Sequence, residues 1–234
     1  NAADFTFYFI GNFDEAALRG YIEQYIASLP GDAKKKENYK NVAERPTGTV
    51  VNKFTKKMET PKAIARMYWY STTAPYTLEN SILASAAGQV LSKLYLQKIR
   101  EEAGAAYSAG AAGSVQMVGD RVFTTLLGHC PMKPEMADEA IKIMREEAVA
   151  ISKSVDEATL NEIKAVMLKD ADAAVKENSH WLGVYNMYVS RGIDTETDYK
   201  NIVKSLTPAK VAAFVKNVIL KAGNNVEVIM LPEK

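Results

Sequence analysis

The chain has 234 residues, 47% of them hydrophobic and 24% charged, enough apolar material for an ordinary globular core. Its 29 basic and 28 acidic residues leave a net charge of +1, which gives no support to a nucleic-acid or other polyanion partner. No apolar run approaches the roughly 18 residues of a membrane-spanning helix, and the one cysteine, Cys130, excludes an internal disulfide and any multi-cysteine zinc site.

The chain opens NAADFTF with no signal-peptide pattern and enters an apolar segment at once, so the expectation is a fragment of a longer protein. Phe5 to Ile10 (FTFYFI) has the length and β-propensity of a buried strand. Asp14 then suits the N-cap of a helix through Ser28, with Leu18, Ile22, Tyr25, Ile26 and Leu29 on its apolar face, stopped by Pro30-Gly31. Residues 31–48 are lysine-rich and aperiodic, the composition of an exposed linker. Strands are expected over Val50–Lys57 and, with more aromatic weight, Ala63–Ser71.

Pro75 breaks the second strand and a long helix follows. Its apolar residues recur every four positions in two adjoining rows, Ile82-Ala86-Val90-Leu94 and Leu83-Ala87-Leu91-Tyr95, a stripe wide enough to lie on a sheet. The helix ends in Arg100-Glu101-Glu102, and Gly104 supplies a residue able to take positive φ beyond it. Ala105-Ala106-Tyr107-Ser108 read as a strand entered straight from that turn, running to Val118. Gly119-Asp120 is a hairpin turn, and Val122–Leu127 is the returning strand. The small residues around Gly110 and Gly113 fit either a close approach of another chain or tight packing.

Helices follow from Pro134, with Met136, Ala140, Ile143, Met144 and Ala148 inward, and from Asp156 to about Lys176. Asn178–Ser190 reads as a third, its Met187-Tyr188 pair assigned to the core. Thr207-Pro208 starts a fourth, cap and first turn together, and VEVIML closes the chain as a strand before Pro232. The fold class is α+β: a largely antiparallel mixed sheet with helices packed on one face. Residues 1–234 are taken as a single domain, with an opening strand and helix over 1–30, the linker over 31–48 and a main body over 49–234.

Catalytic chemistry is sparse. His129 and His180 are far apart in sequence and neither belongs to a metal-binding motif, whereas a catalytic zinc needs three protein ligands. There is no Gly-x-Ser-x-Gly elbow. Cys130 beside His129 invites a nucleophile, but TTLLGHCPMK reads as the end of a buried strand meeting a proline turn. The notable pairing is Arg100 with Tyr107, a guanidinium and a phenol brought to one edge as donors for a peptide carbonyl or carboxylate. The competing assignment leaves Arg100 compensating the helix end or pairing with a nearby glutamate, and Tyr107 packed.

Four stretches carry a resemblance over nearly the whole chain: FYFIGNFDEAALRGYIEQYIASLP, LYLQKIREEAGAAYS, VDEATLNEIKAVMLKDADAAVKENSHWL and LTPAKVAAFVKNVILKAGNNVEVIMLPEK. In order and spacing they resemble the C-terminal, non-zinc domain of the insulinase or pitrilysin (M16) zinc metallopeptidases, whose domains have the LuxS/MPP-like architecture. In that family a half bearing an inverted His-x-x-Glu-His motif faces a second half that supplies an Arg and a Tyr. The resemblance implies that Arg100 holds the peptide main chain or a terminal carboxylate, and that Tyr107 donates to the scissile carbonyl as it becomes an oxyanion. It also implies zinc held by a segment outside this chain, a peptide substrate, and a His-x-x-Glu-His-bearing partner half, fused or separate. This chain alone is expected to be inactive. The other possibility within the family is an inactive scaffold or partner subunit. A periplasmic or cell-envelope bacterial location is the expectation, with no residue behind it.

Overall fold

The computed structural model describes residues 1–35, 38 and 44–233. Residues 36, 37 and 39–43 of the expected linker lie outside the described residues, and the rest of it carries no helix or strand. In chain order the elements are α1 (Glu15–Tyr21), β1 (Thr49–Lys56), β2 (Ala63–Ser71), α2 (Leu78–Tyr95), β3 (Gly110–Val118), β4 (Arg121–Met132), α3 (Ala137–Ala150), α4 (Glu157–Ala174), α5 (Asn178–Arg191), α6 (Tyr199–Lys204), α7 (Pro208–Phe214) and β5 (Asn224–Pro232). Three π-helical segments, Ile22–Ile26, Leu96–Glu102 and Val215–Ile219, extend α1, α2 and α7. The chain divides into two compact units, one of residues 1–45 with 172–194, the other of residues 46–171 with 195–234.

The larger unit is built on a five-stranded sheet in the order β1-β5-β2-β4-β3. Only β1 and β5 pair in parallel; the other three pairings are antiparallel, as the fold class anticipated. Alternation separates two faces. Ala65, Met67, Leu126, Cys130 and Ile229 point to one, where they join Leu91, Tyr95, Met144, Val211 and Ile219 from the helices in a single core. Thr77 caps α2 by accepting from the Asn80 amide at 3.0 Å, and Thr207 caps α7 through Lys210 at 3.3 Å. Helix α6 carried no periodic apolar pattern of its own and was not anticipated.

The approach of α2 to β3 settles the role of the small residues. A Cβ on Gly113 would lie 1.8 Å from the Ala84 carbonyl oxygen, and one on Gly88 would lie 2.0 Å from the Gly113 nitrogen. The glycines let helix and strand backbones touch; they make room for packing rather than for another chain. The β3–β4 turn has positive φ at Gly119 alone, where type II′ turns place glycine. Strand β4 runs five residues beyond Leu127 to Met132 and includes Pro131. A proline is tolerated there because β3 pairs only as far as Gly110 opposite His129, which leaves the last part of β4 without a partner on that side.

Two carboxylates among the described residues are buried in this unit, Glu147 of α3 and Glu227 of β5. Glu227 on β5, 3% exposed, accepts from Arg145 of α3 at 3.0 and 2.5 Å and from Asn225 at 3.1 Å. Burial alone would raise its pKa, but the bonds from Arg145 and Asn225, with the Arg145 charge, hold it below the usual carboxylate range.

The smaller unit contains α1 with its π-helical extension, the end of α4, and α5. Asp14 caps α1 as expected, accepting from the Ala17 amide at 2.8 Å. The expected strand over Phe5–Ile10 is not formed: no strand pairs with it among the described residues, and Phe5, Phe7 and Phe9 are exposed. β-Propensity favours a ladder but cannot supply the neighbour whose amides complete it. The core assignment of Tyr188 is also corrected. It is 61% exposed, and α5 buries no residue.

Candidate functional site

The site grows from the end of α2. Tyr95 is fully buried and donates its hydroxyl to the Met144 carbonyl at 2.7 Å, which ties the helix end to α3. Burial, with the nearby Glu147 charge, pushes the Tyr95 pKa well above its ordinary value and keeps the hydroxyl a donor. Three residues on, Lys98 pairs with the buried Glu147 of α3 at 2.5 Å, and Ile99 has no exposed surface. With Lys98 and Ile99 committed inward, the next residue, Arg100, is presented to solvent.

The chain then reverses around Gly104 at φ 62°. The Ala103 amide bonds the Lys98 carbonyl at 3.0 Å, the Ala105 amide bonds the Ile99 carbonyl at 2.9 Å, and Lys133 donates its amide to Ala105 and its Nζ to Gly104, each at 3.0 Å. Ala105 and Ala106 are buried. This corrects the expected strand at 105–108: those backbone groups serve the turn, and the β3 ladder begins at Gly110.

Tyr107 emerges from the anchored turn 88% exposed. The Arg100 guanidinium lies over its ring, 5.4 Å from the centroid. Neither side chain makes a hydrogen bond or ion pair with the described residues, so Arg100 is not neutralised by Glu101 or Glu102 and Tyr107 is not packed. The two predicted residues are brought together with their polar ends free. A guanidinium stacked on a ring keeps its in-plane donors available, and the phenol can donate alongside it.

The remaining candidates separate. Cys130 is fully buried on the helix-covered face, and burial pushes its thiol up to about 12, far from nucleophilic range. His129, its neighbour, points to the opposite face of β4. There burial first, and then the Arg66 charge, lowers its pKa. His180 belongs to the other unit, where it stands edge-on to Trp181 at 5.2 Å. Among the described residues no three His, Cys, Asp or Glu side chains are grouped as metal ligands, so the residues present do not fit a zinc site. Sequence reasoning missed the Lys98–Glu147 anchor and the pairing of Arg66 with His129; both depend on partners 49 and 63 positions away, with no local pattern to mark them.

Comparison with known proteins identifies the family. The family described as the peptidase M16 inactive domain matches residues 1–167. The probable zinc protease PqqL of Escherichia coli is 25% identical over 238 residues, covering 99% of this chain. The chain spans 25% of that relative's length. The crystal structure of the periplasmic protease PqqL superposes with a TM-score of 0.75 at 22% identity, over 95% of this chain and 25% of that one. A protease from Helicobacter pylori gives a TM-score of 0.72 at 18% identity, over 95% of this chain and 54% of its own. An M16 inactive domain from Pseudomonas fluorescens gives 0.66 at 16%, over 95% and 52%. With a match over residues 1–167 and an α+β sheet shared with these structures, the chain belongs to the peptidase M16 inactive-domain family.

Proposed function

We propose that this chain is the substrate-binding, non-zinc half of a zinc-dependent metalloendopeptidase that hydrolyses peptides, with Arg100 and Tyr107 completing a composite active site. The observation that carries this reading is the Arg100–Tyr107 pair: stacked, solvent-facing and unengaged, on a turn anchored through Lys98, Ile99, Gly104 and Ala105. Zinc and the water it activates belong to a half outside this chain, bearing the His-x-x-Glu-His motif, fused or separate. Within this chain, Arg100 holds the peptide main chain or its terminal carboxylate through charge-assisted bonds. Tyr107 donates to the scissile carbonyl oxygen, where negative charge develops. The zinc protease description of PqqL supports the reaction class, and the periplasmic description of its structure supports a bacterial envelope location.

Arg100→Ala in the complete peptidase tests the binding role. Loss of a charge-assisted contact, about 1.5–3 kcal/mol, is expected to raise KM at least tenfold for peptides with a free terminal carboxylate. The change in kcat is expected to be smaller. An unchanged KM would contradict the role given to Arg100.

A further inference from the structure

The strand residues on the helix-free face of the larger unit's sheet carry no carboxylate and are partly apolar. Of the five strands' residues only Glu227 carries a carboxylate, and it is buried on the helix side against Arg145. The strand cations Lys56, Arg66 and Arg121 share the open face by register. Across its middle the aligned positions are Gly110, His129, Arg66, Val228 and Asn52. Ile64, Leu127, Met230 and Phe54 flank that row, all part or fully exposed. Arg66 is exposed and makes no ion pair with the described residues; the buried Nδ1 of His129 beside it has no hydrogen-bond partner. Gly110 at the end of the row is three residues along the chain from Tyr107.

We infer that this face binds the substrate peptide away from the cleaved bond, taking an extended segment that combines apolar side chains with a carboxylate, which Arg66 receives. The choice of a peptide rests on the proposed peptidase role; the choice of an acidic, apolar one rests on the face itself. Charge complementarity selects it: Arg66, exposed and without an ion pair among the described residues, favours an anionic segment and repels a basic one. Length follows from the sheet. Four strand spacings of ~4.8 Å cover about 19 Å, the reach of roughly six extended residues.

The test is fluorescence anisotropy with the full protein and two labelled peptides, one alternating Phe or Val with Glu, the other with Lys in place of Glu. The acidic peptide is expected to bind about tenfold tighter, the worth of one charge-assisted contact, with the gap closing in molar salt. Arg66→Glu is expected to reverse the order; should that variant fail to fold, the two peptides on the wild-type protein decide alone. Equal binding of both peptides, binding of neither, or a dimer in sedimentation that competes with peptide would overturn the inference, the last by giving the face to a second copy. Tyr107→Phe separates this proposal from the catalytic one. Unchanged turnover with the charge preference intact removes the role of Tyr107 and leaves the face standing. Reduced turnover with no charge preference does the reverse.

Discussion

Tyr107→Phe in the assembled peptidase is expected to lower kcat about 100-fold, the cost of removing one donor aimed at a developing oxyanion, with little change in KM. Phenylalanine keeps the ring over which Arg100 lies and removes only the hydroxyl. The exposed position leaves no packing to lose, so stability is expected to stay level and the kinetic effect can be assigned to the donor. A donor that acts on charge present only in the transition state lowers kcat and kcat/KM together. Steady-state kinetics on a quenched fluorescent peptide measure both. Wild-type kcat in the variant would contradict the assignment.

The second large effect is structural. Gly113→Ala puts a methyl group 1.8 Å from the Ala84 carbonyl oxygen and 2.6 Å from its carbon. The clash is between backbones, so no side chain can swing away; β3 and α2 must part. Overpacking of this kind costs about 3 kcal/mol or more, and the separation also disturbs the segment between α2 and β3 that carries both Arg100 and Tyr107. Urea unfolding followed by circular dichroism is expected to show a lower midpoint. Gly20→Ala, on α1 where a Cβ meets nothing within 4 Å, is the control expected to hold or gain stability. An unchanged midpoint for Gly113→Ala would show that the close approach is not required.

What could be read in advance follows how local each cause is. The two four-residue rows of α2, the Asp14 and Thr207 caps and the Gly119-Asp120 turn are decided within a few positions, and the fold has them where the sequence put them. FTFYFI went wrong for the complementary reason: strand formation needs a neighbour, and a segment's own composition does not say whether one is there. Tyr188 went wrong because an aromatic residue on a helix fits a core or an uncovered surface equally well. Arg100 and Tyr107 were singled out through resemblance and spacing, and the fold brings the two side chains together. What holds them there was not legible: the Lys98–Glu147 pair, the Tyr95–Met144 bond and the Lys133 contacts to the turn all join distant segments. The Arg66–His129 row becomes visible only when the strand register is known.

The central claim is tested most directly by reconstitution. A zinc-loaded half bearing His-x-x-Glu-His is titrated with this chain while cleavage of a quenched fluorescent peptide is followed. The account predicts a rate that climbs from near background and saturates as the chain binds, and a Tyr107→Phe chain that binds equally well but restores little activity. A zinc-bearing half fully active alone, or restored as well by Tyr107→Phe as by the wild-type chain, would contradict it and make this chain a scaffold.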